Sequence, residues 1–371
     1  RLNKPVLRAE LMSGRQAIGD TSGGGDAWTV TILPDTTRSY HFALEDELGL
    51  TNKRPVRLAV RVLKDGSPRV RMNVLGVSDI ITARATIPIA LSFSDAYGLA
   101  RAELIRRIER EESAAEVVVL DEFNPGMTKF ETELRLDLSP LALSPGDRLT
   151  LHSEAEDFDD VSGPNQTESG TVSLRVVTSD ELLAELARRE QEFRQEFERA
   201  VEQQEELRRQ LLTVIGEIDG LREEGRITSR IAPLERRQRQ IAGQVNLIRQ
   251  QFEQILTELE INGLDTQVIR VRLEDRVIAP ITRLAKRDLV AAADALRDIA
   301  RHPTTEVTGR ADATQVEILA EMRRILDNML KWEGYQEAVT MLREILRLQR
   351  ELNQETHQEL DRRASEILEG S

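Results

Sequence analysis

At Thr178 the chain changes period. Before it, apolar residues alternate with polar ones: Ile87, Ile89, Leu91 and Phe93; Phe130, Thr132, Leu134, Leu136 and Leu138; Leu149 and Leu151; Val172, Leu174 and Val176. A repeat of two places one set of side chains on a buried face and the other in water, as in a half-buried β-strand. After Thr178, proline occurs only at Pro233, Pro280 and Pro303, and Glu, Arg, Gln and Leu dominate. From Ile227 through Ile231, Leu234, Gln238, Ile241, Val245, Ile248, Phe252, Ile255 to Leu259 the spacing is 4-3-4-3-4-3-4-3-4. That is a helical seam, with Gln238 its one polar member. The chain must therefore be β first and α second.

The alternation predicts strands near 69–75, 87–94, 100–109, 115–121, 130–138, 147–156 and 171–178. Short strands divided by turn residues at this density predict a Greek-key β-sandwich of immunoglobulin-like type over residues 66–178. Residues 1–65 read as the C-terminal strands of a second, partial sandwich. Tyr40, Phe42, Leu44 and Asp46 in "SYHFALED" align with Leu151, Ser153, Ala155 and Asp157 in "LHSEAED". Val56, Leu58 and Val60 then match Val172, Leu174 and Val176, and Asp20–Asp26 reads as a flexible turn.

Residues 179–371 predict an extended antiparallel α-helical coiled-coil bundle, with helices about 180–220, 227–262, 265–301 and 313–368. Thr178 or Ser179 would cap the first, with Asp180 and Glu181 at its positive end. Pro280 should kink the third or start a new segment. Leu319, Met322, Leu326 and Met329 form one seam of the last helix. Trp332, Tyr335, Val339, Leu342, Leu346 and Gln349 form another in shifted phase. A seam left open would take a partner helix or a second copy.

Composition narrows the chemistry. With 51 basic and 65 acidic residues the formal charge is −14, which argues against a nucleic-acid partner. There are no cysteines, which excludes disulfides and thiolate chemistry. No phosphate loop, G-x-S-x-G or H-E-x-x-H is present, and His41, His152, His302 and His357 lie far apart. No catalytic residue, cofactor or small-molecule substrate is assigned. The one acidic concentration is "EAEDFDD", where Glu154, Asp157, Asp159 and Asp160 would suit Ca²⁺ as hard oxygen ligands. The alternative is a solubilising loop with aspartate turns.

"IPIALSFSDAYGLARAEL" (Ile87–Leu104) resembles a strand-turn-strand of large bacterial cell-envelope proteins. In these, tandem Ig-like repeats follow a membrane anchor and lead into a long helical region. "LSPGDRLTLHSEAEDFDD" (Leu143–Asp160), "SLRVVTSDELLAEL" (Ser173–Leu186) and "KWEGYQEAVTMLREILRLQRELNQET" (Lys331–Thr356) are similar to later parts of the same group. The resemblance implies an extracytoplasmic, membrane-tethered parent, with the membrane reached only through segments outside this chain. The opening Arg1 fits a piece of a longer protein. Asp95 would turn the hairpin in "SDAYG". The reading is a non-enzymatic scaffold of the cell envelope, with protein partners or self-association through the helical seams. The alternative is a ligand- or Ca²⁺-sensing ectodomain that transmits through its helices.

Overall fold

The computed structural model describes residues 2, 4–63, 65–109, 114–159, 163–331 and the separate positions 348, 349, 352, 353 and 356. The first sheet runs β1 (Arg8–Ser13), β2 (Gln16–Ala17), β3 (Asp20–Gly24), β4 (Ala27–Thr31), β5 (Arg38–Glu45) and β6 (Arg57–Val60). Its order is β2-β1-β5-β6, with β3 and β4 forming a separate hairpin. The expected flexible turn at Asp20–Asp26 is thus largely a strand. Gly23 belongs there because a Cβ would stand 2.4 Å from the carbonyl oxygen of Ala27.

The sandwich follows: β7 (Arg69–Val74), β8 (Ile80–Thr82), β9 (Thr86–Ser94), β10 (Leu99–Ile108), β11 (Glu116–Val118), β12 (Lys129–Asp137), β13 (Arg148–Asp157), β14 (Gln166–Glu168) and β15 (Val172–Val177). One sheet is β12-β9-β7; the other is β11-β10-β13-β15-β8, with β14 beside β13. Each of the seven expected strands is present. The two short strands β8 and β14 add to them, and β8 runs parallel to β15. The inward residues of both sheets, including Ile87, Ile89, Leu91, Phe93, Leu104, Leu149, Leu151 and Leu174, form one apolar core. Phe130 joins it, stacking on Phe93 and meeting the edge of Phe123.

The first sheet repeats half of this plan. Both β1 and β10 carry Arg-Ala-Glu-Leu, at Arg8–Leu11 and Arg101–Leu104. Ala9 pairs with Leu44, and Ala102 pairs with Ala155, so the two quartets occupy the same register against β5 and β13. The closing strand needs a correction. Tyr40 faces Leu58, whereas Leu151 faces Val172, so Leu58 matches Val172, two residues from the expected alignment but on the same face. The two sheets differ in cover. Leu174 is 2 % exposed while its counterpart Val60 is half-buried, and earlier in the same closing segment Leu58 is 61 % and Val56 90 % exposed.

The extended coiled coil expected for 179–371 is not formed. α1 (Ser179–Gly216), α2 (Ile218–Glu223), α3 (Ile227–Ile261), α4 (Gln267–Leu273), α5 (Ala279–Arg283) and α6 (Leu289–Arg301) pack around one common core, joined by a helix over 305–331. The α3 seam has the expected residues buried, but α1, α6 and the 305–331 helix share it rather than one partner. Ala292 and Ala293 on α6 are small enough to allow close approach. Two π-helical turns, Glu274–Ile278 and Leu284–Asp288, flank Pro280. Proline has no N–H for the helical ladder, and each wide turn moves the apolar stripe off a constant heptad phase.

Gln238 meets Gln204 of α1 and Gln315 of the 305–331 helix, all three buried. Gln204 Nε2 donates to Gln238 Oε1 at 3.2 Å, and Gln238 Nε2 donates to Gln204 Oε1 at 2.8 Å. Gln315 Nε2 donates to Gln238 Oε1 at 2.9 Å, and Gln204 Nε2 also donates to Gln315 Oε1. A satisfied polar layer fixes how three helices slide past one another, because any shift would strand buried amides.

The last helix starts eight residues before the expected 313, with Thr304 Oγ1 accepting from the Val307 N–H at 3.3 Å. The second seam, through Trp332 and Tyr335 to Leu346, lies outside the described residues, as do Asp160 and His357. Membrane association, expected from the resemblance, has no counterpart here: no helix among the described residues is long and apolar enough to cross a membrane.

Candidate functional site

Besides the glutamine layer, two places bring buried polar groups together. The first is the junction between sandwich and helices. Thr178 caps α1, its Oγ1 accepting from the Glu181 N–H at 3.1 Å, while Glu181 Oε2 accepts from the Thr178 N–H at 2.8 Å. The Thr178 N–H first, and then the Thr178 hydroxyl donating to the same Oε2 at 3.1 Å, hold the Glu181 carboxyl below its ordinary value. The C-terminal end of α3 then turns back onto the sandwich. Glu258, 1 % exposed, accepts from Arg189 Nη1 at 2.9 Å, from Arg189 Nη2 at 2.5 Å and from Ser78 Oγ at 2.9 Å. Asn262 Oδ1 accepts from the Thr82 N–H at 2.7 Å. Its Nδ2 donates to the Glu258 carbonyl at 2.7 Å.

Apolar residues cross the same boundary. Ile261 packs in the sandwich core, and Ile80 and Val177 pack in the helical core. Gly76 has φ +67°, and a Cβ there would stand 2.5 Å from Thr257 Cγ2, so only glycine admits α3 this close. Beside the junction lies a cleft of about 690 Å³ lined by Ile80, Arg175, Glu181, Arg188 and Arg189 among others. It carries charges of both signs, and Ser78 in its wall donates its hydroxyl to Glu258.

The second place is the end of the sandwich next to the linker from the first sheet. Carboxylates of Asp65, Asp95 and Asp157 each bring an oxygen within 4.8 Å of the others. Asp65 lies before β7, Asp95 in the β9–β10 turn, and Asp157 at the end of β13. Asp157 is 1 % exposed. Its Oδ1 accepts from the Asn165 N–H at 2.8 Å and the Asp159 N–H at 3.1 Å, and its Oδ2 from Asn165 Nδ2 at 2.8 Å. Burial pushes this carboxyl up, but the hydrogen bonds from Asn165 and Asp159 outweigh burial and leave it below its ordinary value. Asp95 Oδ2 accepts from the N–H groups of Tyr97 and Gly98 at 2.7 and 2.9 Å, which makes the expected hairpin turn. Asp95 Oδ1 is shut off from solvent with no hydrogen-bond partner. The Asp65 carboxyl is pushed up by burial and by repulsion from Asp95, Asp157 and Asp159.

The expected ligand set divides. The strand period sends Asp157 inward and Glu154 outward, where Glu154 meets His152 Nε2 at 3.1 Å. Glu154 and His152 form an outer group with Glu168 on β14, apart from Asp157. Glu156 takes Arg101 at 3.0 Å. Asp159 stays beside Asp157 through its backbone, and Asp160 lies outside the described residues. Asp65 and Asp95 were not among the expected ligands. Asp95 had a visible signal in "SDAYG", but as a turn residue. Asp65 in "KDGS" had none that separates it from an ordinary loop aspartate. No family model matches the chain, and no curated protein matches it.

Proposed function

We propose that the chain is a non-enzymatic structural protein of the bacterial cell envelope, in which a β-sandwich head is held at a fixed angle by a helical bundle. The observation that carries this reading is the buried Glu258, which takes Arg189 from α1 and Ser78 from the sandwich at once. An ion pair with its carboxylate fully buried tolerates little relative motion, because displacing the arginine leaves that charge unpaired. A joint of this kind suits a part that transmits position or load. Extracytoplasmic placement is supported by the resemblance at Ile87–Leu104 and Leu143–Asp160.

Partners would be proteins, and the exposed Val56 and Leu58 face of the first sheet offers apolar surface for them. Photo-crosslinking from single positions on that face, in cells, tests the reading. Discrete adducts with envelope proteins or with a second copy are expected. Their absence from every position on the face, with the protein present and folded, would contradict it.

A further inference from the structure

The two β-units place an aspartate at the same point, one residue past or at the end of the strand that pairs with the Arg-Ala-Glu-Leu strand. In the first sheet it is Asp46, in the sandwich Asp157. Both lock the loop that follows by accepting backbone N–H groups: Leu48 and Leu50 at 3.0 and 2.9 Å for Asp46, Asp159 and Asn165 for Asp157. Both are buried. Asp46 also has a cation, since Lys4 Nζ stands 2.5 Å from its Oδ2. Among the described residues, no lysine, arginine or histidine pairs with Asp157, Asp95 or Asp65. Two further carboxylates converge there instead.

We propose that Asp65, Asp95 and Asp157 bind a calcium ion that takes the place Lys4 holds in the first sheet and ties the linker between the two β-units to the end of the sandwich. Calcium binds oxygen ligands at 2.3–2.6 Å, so two ligands on opposite sides of one ion lie roughly 4.6–5.2 Å apart. The three carboxylates fit within that span. The second, independent sign is Asp95 Oδ1. A carboxylate oxygen removed from solvent without a donor is costly, and a bound cation removes the cost. Two of the carboxylates come from separate loops and the third from the last residue of β13, which gives the adjustable geometry that calcium accepts and octahedral magnesium does not. Backbone carbonyls and water would complete the shell.

The test is calorimetric titration of the full, chelator-treated chain with CaCl₂, and separately with MgCl₂, at neutral pH. One calcium site is expected, with a raised melting temperature and slower hydrogen exchange in the linker around Asp65. Asp95→Asn keeps an oxygen for the Tyr97 and Gly98 N–H groups, so the fold should survive while calcium affinity falls at least tenfold. Asp65→Asn should weaken binding likewise, and Asp46→Asn should leave it unchanged. No calcium heat and no thermal shift, a response to magnesium alone, or full binding retained by folded Asp95→Asn and Asp65→Asn would each overturn the assignment.

Discussion

The first sheet and the sandwich are two versions of one plan, and they are completed by different things. Both are built on an Arg-Ala-Glu-Leu strand in the same register, and in both an arginine two residues before a glutamate pairs with it along the strand. In the sandwich a facing sheet buries Leu174 and Val176, and α3 docks through Glu258 and Asn262. In the first sheet the matching closing strand leaves Leu58 exposed, and Lys4 neutralises the loop aspartate. The strand pattern sets the sheet in both places. Whether the sheet becomes a closed core depends on what lies against its apolar face, and that is decided far away in sequence.

The widest gap between the two should appear in core truncations. Leu174→Ala removes fully packed methyl groups and should cost about 2–5 kcal/mol in urea unfolding. Leu58→Ala, on the exposed closing strand, should change stability by under about 0.5 kcal/mol. Equal costs would mean the first sheet is covered as well as the sandwich is.

Breaking the junction comes next. Glu258→Ala leaves Arg189 and Ser78 without their acceptor and should cost about 3–5 kcal/mol. Among the described residues the first sheet has no such anchor on the helices, and it should keep its hydrogen-exchange pattern in that variant. A smaller, matched pair is Gly76→Ala against Gly14→Ala. Both glycines have positive φ, but only at Gly76 does a Cβ meet a neighbour, Thr257. Gly14→Ala should cost about 1–2 kcal/mol from backbone alone, and Gly76→Ala measurably more in the same thermal melt.

The mildest probe is pH. The Asp46 carboxyl is held below its ordinary value, first by Lys4 and then by the Leu50 N–H. Its contribution to stability is therefore complete above the unfolded value, about 3.9, and is lost as pH falls through the lower folded value. Amide exchange at Leu48 and Leu50 should rise over that window and rise earlier in high salt, which screens Lys4. No change in either amide would remove Lys4 as the partner that matters.

Much of the fold was legible locally. Period two located the sandwich strands, because each has one face in the core and one in water. The α3 seam was read residue by residue. The assembly of the helices was not legible, because a 4-3 spacing states which face is buried and not how many helices bury it. Gln238 carried a hint: a polar seam residue needs partners, and here Gln204 and Gln315 come from two different helices. The acidic site was half legible. Asp157 was visible in an acidic run, but Glu154 and Glu156 of that run point outward to His152 and Arg101. Asp65 and Asp95 reach Asp157 only because folding brings two loops to the end of β13. The repeated Arg-Ala-Glu-Leu was in plain view, and it marks the repeat better than the weaker alignment of the flanking strands.

The claim that sandwich and helices form one rigid part rests most directly on the Thr82 N–H, which donates to Asn262 across the junction. Hydrogen exchange of a peptide containing Thr82 reads it. Exchange as slow as that of the buried α3 segment around Ile248, and fast exchange in Asn262→Ala, is the predicted result. Exchange at loop rates in the unaltered chain, with α3 still protected, would show that the head moves independently of the helices and would contradict the account.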